Sequence, residues 1–301
     1  MLELDGLVRT FGDVRALDGL TFAVPPGRMF GFLGPNGAGK TTAMRAVFGL
    51  TLLQAGQVRW NGSPVSRSVT SRFGYLPEER GLYPTMAVRE QLVYLGRIRG
   101  LGSKASAQAT DMWLERLGLA DRAGSKVQEL SLGNQQRVQL AGSLLHEPEV
   151  VVLDEPFSGL DPVAVDLLSA ELSQVADAGA TVLFSSHQLD LVEGLCDEVA
   201  IIDRGRLVTN GTVDELTRGP APHLVVKIVG AGADWVRDLP GVAVSEVAGD
   251  TVRLDLSGGG DAQAVLDAAR IAGPVEQFGY ERLRLSEVFR RAVGRPVEAA
   301  S

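Results

Sequence analysis

The chain has 301 residues, enough for one large domain and a smaller one, and its 45% hydrophobic content is that of a packed globular protein. A net charge of −8 excludes broad electrostatic attraction to nucleic acid, so no nucleic-acid partner is expected. The single cysteine, Cys196, excludes an internal disulfide. The acidic N-terminus does not read as a secretory signal, and no window approaches the roughly 18 uninterrupted apolar residues of a membrane span, so the chain is expected to be soluble by itself.

In chain order, LELDGLVRTF and LDGLTFAV read as strands separated by GDVRA. MFGFLG is a short apolar run entering a glycine-rich loop, and KTTAMRAVFGL leaves it with helical spacing. GQVRWNG is another strand, closed by an Asn-Gly turn. From about 86 to 145 the pattern becomes helical: Val88, Leu92, Leu95 and Ile98 share one face, and ATDMWLERLGL and NQQRVQLAGSLL continue the theme. This is expected to be a helical subdomain inserted in an alternating α/β chain. VVVLD then reads as a buried parallel strand closed by an acid, and helix, strand, helix and further strands complete the domain. TRGPAP, Thr217 to Pro222, reads as a linker. The expected domains are therefore 1–218 and an accessory α+β unit at 222–301. In the latter, HLVVKIVG reads as a strand and DWVRDLP as a helix. VAVSEVAGDTVRLDLS reads as a hairpin turning at Gly249-Asp250, DAQAVLDAARIAG as a helix, VEQFGYERLRL as a strand and SEVFRRAVG as a last helix. That order is ferredoxin-like.

The chemistry is concentrated in a few stretches. GPNGAGKTT, from Gly34 through Pro35, Asn36, Gly37, Ala38, Gly39, Lys40 and Thr41 to Thr42, fits the P-loop pattern. Glycines let backbone N–H groups converge on phosphate oxygens, and the following helix adds a partial positive charge at its start. Lys40 is placed to reach the β- and γ-phosphates, and the Thr41 hydroxyl to ligate Mg²⁺. VVVLDEP delivers Asp154 to the carboxyl end of a buried strand, where it would hold Mg²⁺. Glu155 follows as the group to polarise an attacking water, and is expected on the other side of the strand. His187, after the apolar strand TVLFSS, falls at the same sheet edge, where a neutral imidazole can donate to a γ-phosphate. His146 and His223 have no such context.

Taken together and in order, GPNGAGKTT, LSLGNQQR, VVVLDEP, SGLD and SSH resemble the ATP-binding subunits of ABC transporters over residues 1 to about 216. The resemblance implies a P-loop NTPase fold with an inserted helical subdomain and a small antiparallel β edge. It implies ATP hydrolysis with Mg²⁺, a second ATP-binding subunit, and a separate multi-span membrane permease that would hold the chain at the cytoplasmic face of the membrane. By that resemblance Phe11 stacks on adenine and Glu78 stands where a glutamine usually touches Mg²⁺ and the water. Ser131 and Gly133 contact the γ-phosphate of a nucleotide held by the other subunit, Asp161 links the two sites, and His187 senses the γ-phosphate. The sequence departs from the family at Leu132 and Asn134, which replace the glycine and glutamine of Ser-Gly-Gly-Gln, and at Glu78. These departures, with PEERGLYP and the C-terminal unit, resemble the subgroup of sodium- or drug-export ATPase subunits. The alternative is a soluble regulatory ATPase of the same superfamily, which usually carries two nucleotide domains or a long coiled coil; this chain has one P-loop and no long heptad run.

Overall fold

β1 (Leu2–Phe11) and β2 (Val14–Val24) form a hairpin in the computed structural model, which describes residues 1–79, 81–218 and 223–294. Their connection is Gly12-Asp13 alone, with Gly12 at φ 54°, so Val14 and Arg15 are ladder, with Ala16 bulged beside them, and not the expected separator. β3 (Met29–Leu33) enters the glycine-rich loop and α1 (Lys40–Val47) leaves it. β4 (Ala55–Trp60) turns through Asn61-Gly62 into β5 (Ser63–Pro64); α2 (Arg67–Thr70) and β6 (Phe73–Leu76) follow. The helical insert is α3 (Val88–Ile98), α4 (Ser103–Arg116) and α5 (Leu132–Leu144). After it come β7 (Val150–Leu153), α6 (Pro162–Asp177), β8 (Thr181–Ser185), α7 (Leu189–Leu195), β9 (Glu198–Asp203), β10 (Arg206–Thr212) and α8 (Val213–Arg218).

The central sheet has the order β10-β9-β3-β8-β7-β6, parallel except for the β10–β9 hairpin. Every residue of β3, β7 and β8 is buried, which is why β3 and β7 are continuous apolar runs and β8 is apolar between Thr181 and Ser185. The antiparallel sheet β2-β1-β4-β5 packs across α1. Leu2, Leu4, Leu7 and Phe22 on one side meet Ala43, Met44 and Val47 of α1, with Phe30, Phe32 and Val152 beyond. Each such buried Leu or Phe contributes about 1.5–3 kcal/mol of apolar burial. The parallel register brings the carboxyl ends of β3, β6, β7 and β8 to one edge, where open α/β sheets place ligands.

The chain divides into two units, Met1–Val213 with Phe289–Ser301, and Asp214–Val288. The second contains β11 (Leu224–Ile228), β12 (Ala243–Ala248), β13 (Thr251–Asp255), α9 (Ala262–Ala272) and β14 (Val275–Tyr280); α10 (Leu285–Ala292) runs across the division. Its sheet order, β12-β13-β11-β14, is antiparallel throughout and ferredoxin-like. The first helix of that pattern is missing. DWVRDLP makes one 3₁₀ turn at Asp234–Val236, because Pro240 and Gly241 follow too soon for a full helix. β14 also stops at Tyr280, short of the expected Leu285: past it, the Leu283 N–H donates to Thr217 O and leaves the ladder. Of the expected linker, Thr217 and Arg218 belong to α8, and 219–222 lie outside the described residues.

Candidate functional site

The glycine-rich loop is held by steric necessity. Gly39 caps α1 at φ 107°, and a Cβ there would lie 2.3 Å from Ala16 O; one on Gly34 would lie 2.6 Å from Ile202 O. The turn after β9 braces the loop from outside, Gly205 N–H donating to Ala38 O at 2.8 Å. Lys40 lies half-buried, its ammonium donating to the loop's own carbonyls, Gly34 O at 2.7 Å and Pro35 O at 3.3 Å. Burial lowers the Lys40 pKa, opposed by the charges of Glu155, Asp154 and Glu78. A phosphate arriving here therefore has to draw the ammonium off two neutral carbonyls, an exchange that charge favours.

A cavity of about 400 Å³ is lined by Ala16, Asn36 through Thr42, Glu78, Asp154 and Glu155. Asp154 is 1% exposed. Its Oδ1 accepts from the Ser185 hydroxyl at 2.7 Å, and its Oδ2 is buried with no partner. A buried carboxylate oxygen left unpaired beside a threonine hydroxyl and a second carboxylate suits a hard divalent cation, so the donor set Thr41, Glu78 and Asp154 fits Mg²⁺. Glu155 follows at φ 51°, a left-handed conformation rare outside glycine. Strand alternation does not place it, because β7 ends at Leu153. Its N–H is instead anchored on Ser185 Oγ at 2.9 Å. One serine thus ties both acids.

His187 Nδ1 lies 2.9 Å from Glu155 Oε2. An ionised carboxylate only accepts, so Nδ1 carries the proton, and a neutral ring then offers a lone pair at Nε2. With Nδ1 engaged by Glu155, the donation to a γ-phosphate expected of His187 would have to come from the other ring nitrogen or follow a change of partner.

The remaining sequence-chosen residues lie elsewhere. Ser131 caps α5, its Oγ accepting from Asn134 N–H at 3.3 Å. This is the N-cap half of the expected motif. Leu132 is 60% exposed, and a Cβ on Gly133 would meet Leu160 Cδ2 at 3.3 Å. Asp161 caps α6 by accepting from Ala164 N–H at 2.8 Å. Phe11 is exposed at the β1–β2 turn, with the Arg9 guanidinium 4.3 Å from its ring centroid. None of Phe11, Ser131, Gly133, Asp161 or His187 lines the phosphate-loop cavity. Sequence reasoning missed three tethers: Ser185, and two glutamines of α5. Gln136 Nε2 donates to Pro156 O at 3.0 Å and Gln139 Nε2 to Pro77 O at 2.9 Å. Their signal was available, since amides on a helix face that turns out buried need backbone partners.

A family model described as ABC transporter matches residues 17–158, and one described as ATP-binding protein DrrA1-3-like, C-terminal domain, matches residues 211–293. The chain is 39% identical to the ABC transporter ATP-binding protein YhaQ of Bacillus subtilis, over 98% of this chain and 99% of that protein. It is 33% identical to the Nod factor export ATP-binding protein I of Paraburkholderia xenovorans, over 99% and 98% of the two chains. A solved structure of the ATP-binding subunit of an ABC transporter superposes with a TM-score of 0.67 at 30% identity, covering 72% of this chain and 91% of that one.

Proposed function

The chain belongs to the ATP-binding subunits of ABC transporters, which hydrolyse ATP, and from that premise we propose that two copies close on two ATP molecules to drive export through a separate membrane-spanning partner. The observation that carries the two-copy reading is a separation. The phosphate-loop cavity holds Lys40, Thr41, Asp154 and Glu155, while the capped start of α5, with Ser131 and Gly133, lies outside it. A helix start favours an anion, and this one, capped by its own Ser131, has no acidic residue in its first turn. The second copy's nucleotide supplies the anion.

In this reading the N–H groups from Asn36 to Thr42 and the Lys40 ammonium bind the phosphates. Thr41, Asp154 and Glu78 hold Mg²⁺, which when bound neutralises charge on the β- and γ-phosphates. Glu155 orients the attacking water and accepts its proton, and His187 steadies the Glu155 carboxylate across their 2.9 Å contact. Glu78 adds a negative charge that a glutamine would not, which slows attack until closure compensates it. Asp161, at the start of α6, links the two sites. Phe11 offers adenine one ring face, the other being covered by Arg9.

The membrane partner is expected on a groove of about 880 Å³ whose wall includes Leu50, Leu82, Ile98, Arg99 and Gln139. Arg99 is partly buried, its guanidinium donating to Phe73 O at 3.4 Å, and Gln139 Oε1 is buried unpaired, so a partner segment offering a carboxylate and a donor would complement this wall. Among the described residues no helix is long and apolar enough to cross a membrane, consistent with a separate partner holding the chain at the cytoplasmic face. The name of the Paraburkholderia relative supports export as the direction. The test is Glu155→Gln. It should retain ATP binding, trap an ATP-bound dimer and lose nearly all turnover; unchanged hydrolysis removes Glu155 from the chemistry.

A further inference from the structure

We propose that β12 of the second unit is a self-pairing edge, joining antiparallel to β12 of a second copy of this chain; this rests on the dimeric reading above. β12 lies at the end of its sheet, bonded to β13 on one side, and all six of its residues are exposed. An open strand edge presents unpaired N–H and C=O groups, and proteins guard it with proline, lysine, unpaired charge or a bulge; of these β12 carries only a bulge, at Ser245. β12 has neither proline nor lysine. Its one charge, Glu246, is already engaged by Arg253.

The register of the strand gives it an apolar edge. Val244 pairs with Leu254 and Val247 with Val252, and between them Ser245 is an extra, bulged residue. Without the bulge, valines three apart would point to opposite faces. With it, both stand on the face of the buried Leu254 and Val252. They are nonetheless 45% and 49% exposed, at the rim of the core under α9.

The occupant follows from the sequence of the strand. Ala-Val-Ser-Glu-Val-Ala, residues 243–248, reads alike in both directions except at its centre. Antiparallel pairing about that centre sets each Val244 opposite the other copy's Val247, each Ala243 opposite Ala248, and each Ser245 hydroxyl opposite a Glu246 carboxylate. Valine meets valine on the apolar face; on the other, Ser245 and Glu246 are already held in their own chain by His223 and Arg253, so the valine pairs and the backbone ladder carry the contact. This is the self-complementarity that a two-fold interface requires. Six residues are too few to hold two proteins alone. The ladder acts as a second contact, formed once nucleotide has raised its local concentration.

The test uses the full chain. Val244→Cys protein is mixed with differently tagged Val247→Cys protein, with Mg²⁺ and a slowly hydrolysed ATP analogue, under mild oxidation. Cys196 is buried and does not compete. Residues directly opposite in a ladder lie within disulfide reach, whereas each valine and its own symmetry mate are offset along the strand. The mixture should therefore give at least about tenfold more cross-linked dimer than either variant alone. Equal cross-linking in all three samples, or none in the mixture, overturns the pairing. Sedimentation of the same samples separates the two ideas. A nucleotide-dependent dimer that does not cross-link refutes the β12 edge alone, and no dimer at all refutes the dimeric reading with it.

Discussion

Replacing Ser185 with alanine removes one oxygen that serves both acids of the site. That hydroxyl donates to Asp154 Oδ1 at 2.7 Å and accepts from Glu155 N–H at 2.9 Å, at a position with no solvent exposure. Losing a hydrogen bond to a buried carboxylate costs about 1.5–3 kcal/mol, and stranding the amide adds about 1 kcal/mol, so the expected loss is roughly 2–4 kcal/mol. In a unit of this size that lowers the melting temperature by about 5–12 °C. Turnover should fall further than stability explains. Glu155 keeps its left-handed backbone only while its N–H is anchored, and a displacement near 1 Å costs on the order of tenfold to a hundredfold in kcat. The KM for ATP should change little, since the phosphate loop is untouched. Thermal unfolding and steady-state ATPase of the parent, Ser185→Ala and Ser185→Thr are the assays. Threonine keeps the hydroxyl and should recover much of kcat. A melting temperature within about 1 °C of the parent, or an unchanged kcat, refutes the argument.

Gly39→Ala must place a Cβ within 2.3 Å of Ala16 O at φ 107°; it should cost about 3 kcal/mol or more and abolish nucleotide binding, read by melting and by a fluorescent ATP analogue. Mg²⁺ with ATP should stabilise the parent by about 2.7 kcal/mol at a hundredfold excess over Kd, and chelation should reverse it. Asp154→Asn should lose most of that increment, and an equal increment in the variant would remove Asp154 as a metal ligand. His146 is half-buried, and burial lowers its pKa below 6.5. Below that pH the unfolded chain binds the proton more readily than the folded one, so stability is full above pH 6.5 and is lost as the pH falls. Urea unfolding at pH 7.5 and 5.5 should show a steeper loss in the parent than in His146→Gln.

What the sequence reveals is what lies within one contiguous stretch. The phosphate loop and the Asp154-Glu155 pair are legible because a glycine spacing or an apolar run closed by acids specifies them locally. Ser185 is not, since its contact with Asp154 depends on β8 lying beside β7 in the register that pairs Leu153 with Phe184. The orientation of Glu155 is not legible for a related reason: strand alternation stops at Leu153, and the backbone at Glu155 has already turned. The His187 contact with Glu155 is likewise non-local, joining the ends of two strands that no single stretch of sequence relates. In the second unit the strand order was legible from alternation, but DWVRDLP has helical composition without the length to form a helix before Pro240. The β12 bulge depends on pairing with β13, so the shared face of Val244 and Val247 appears only in the folded sheet.

The backbone at Glu155 carries one more implication. A non-glycine residue at φ 51° stores roughly 1 kcal/mol or more of strain, and this one also holds a carboxylate against a histidine in a crowded site. Glycine at the same position would relax the backbone and abolish the chemistry. Selection for foldability and selection for turnover therefore oppose each other at a single codon.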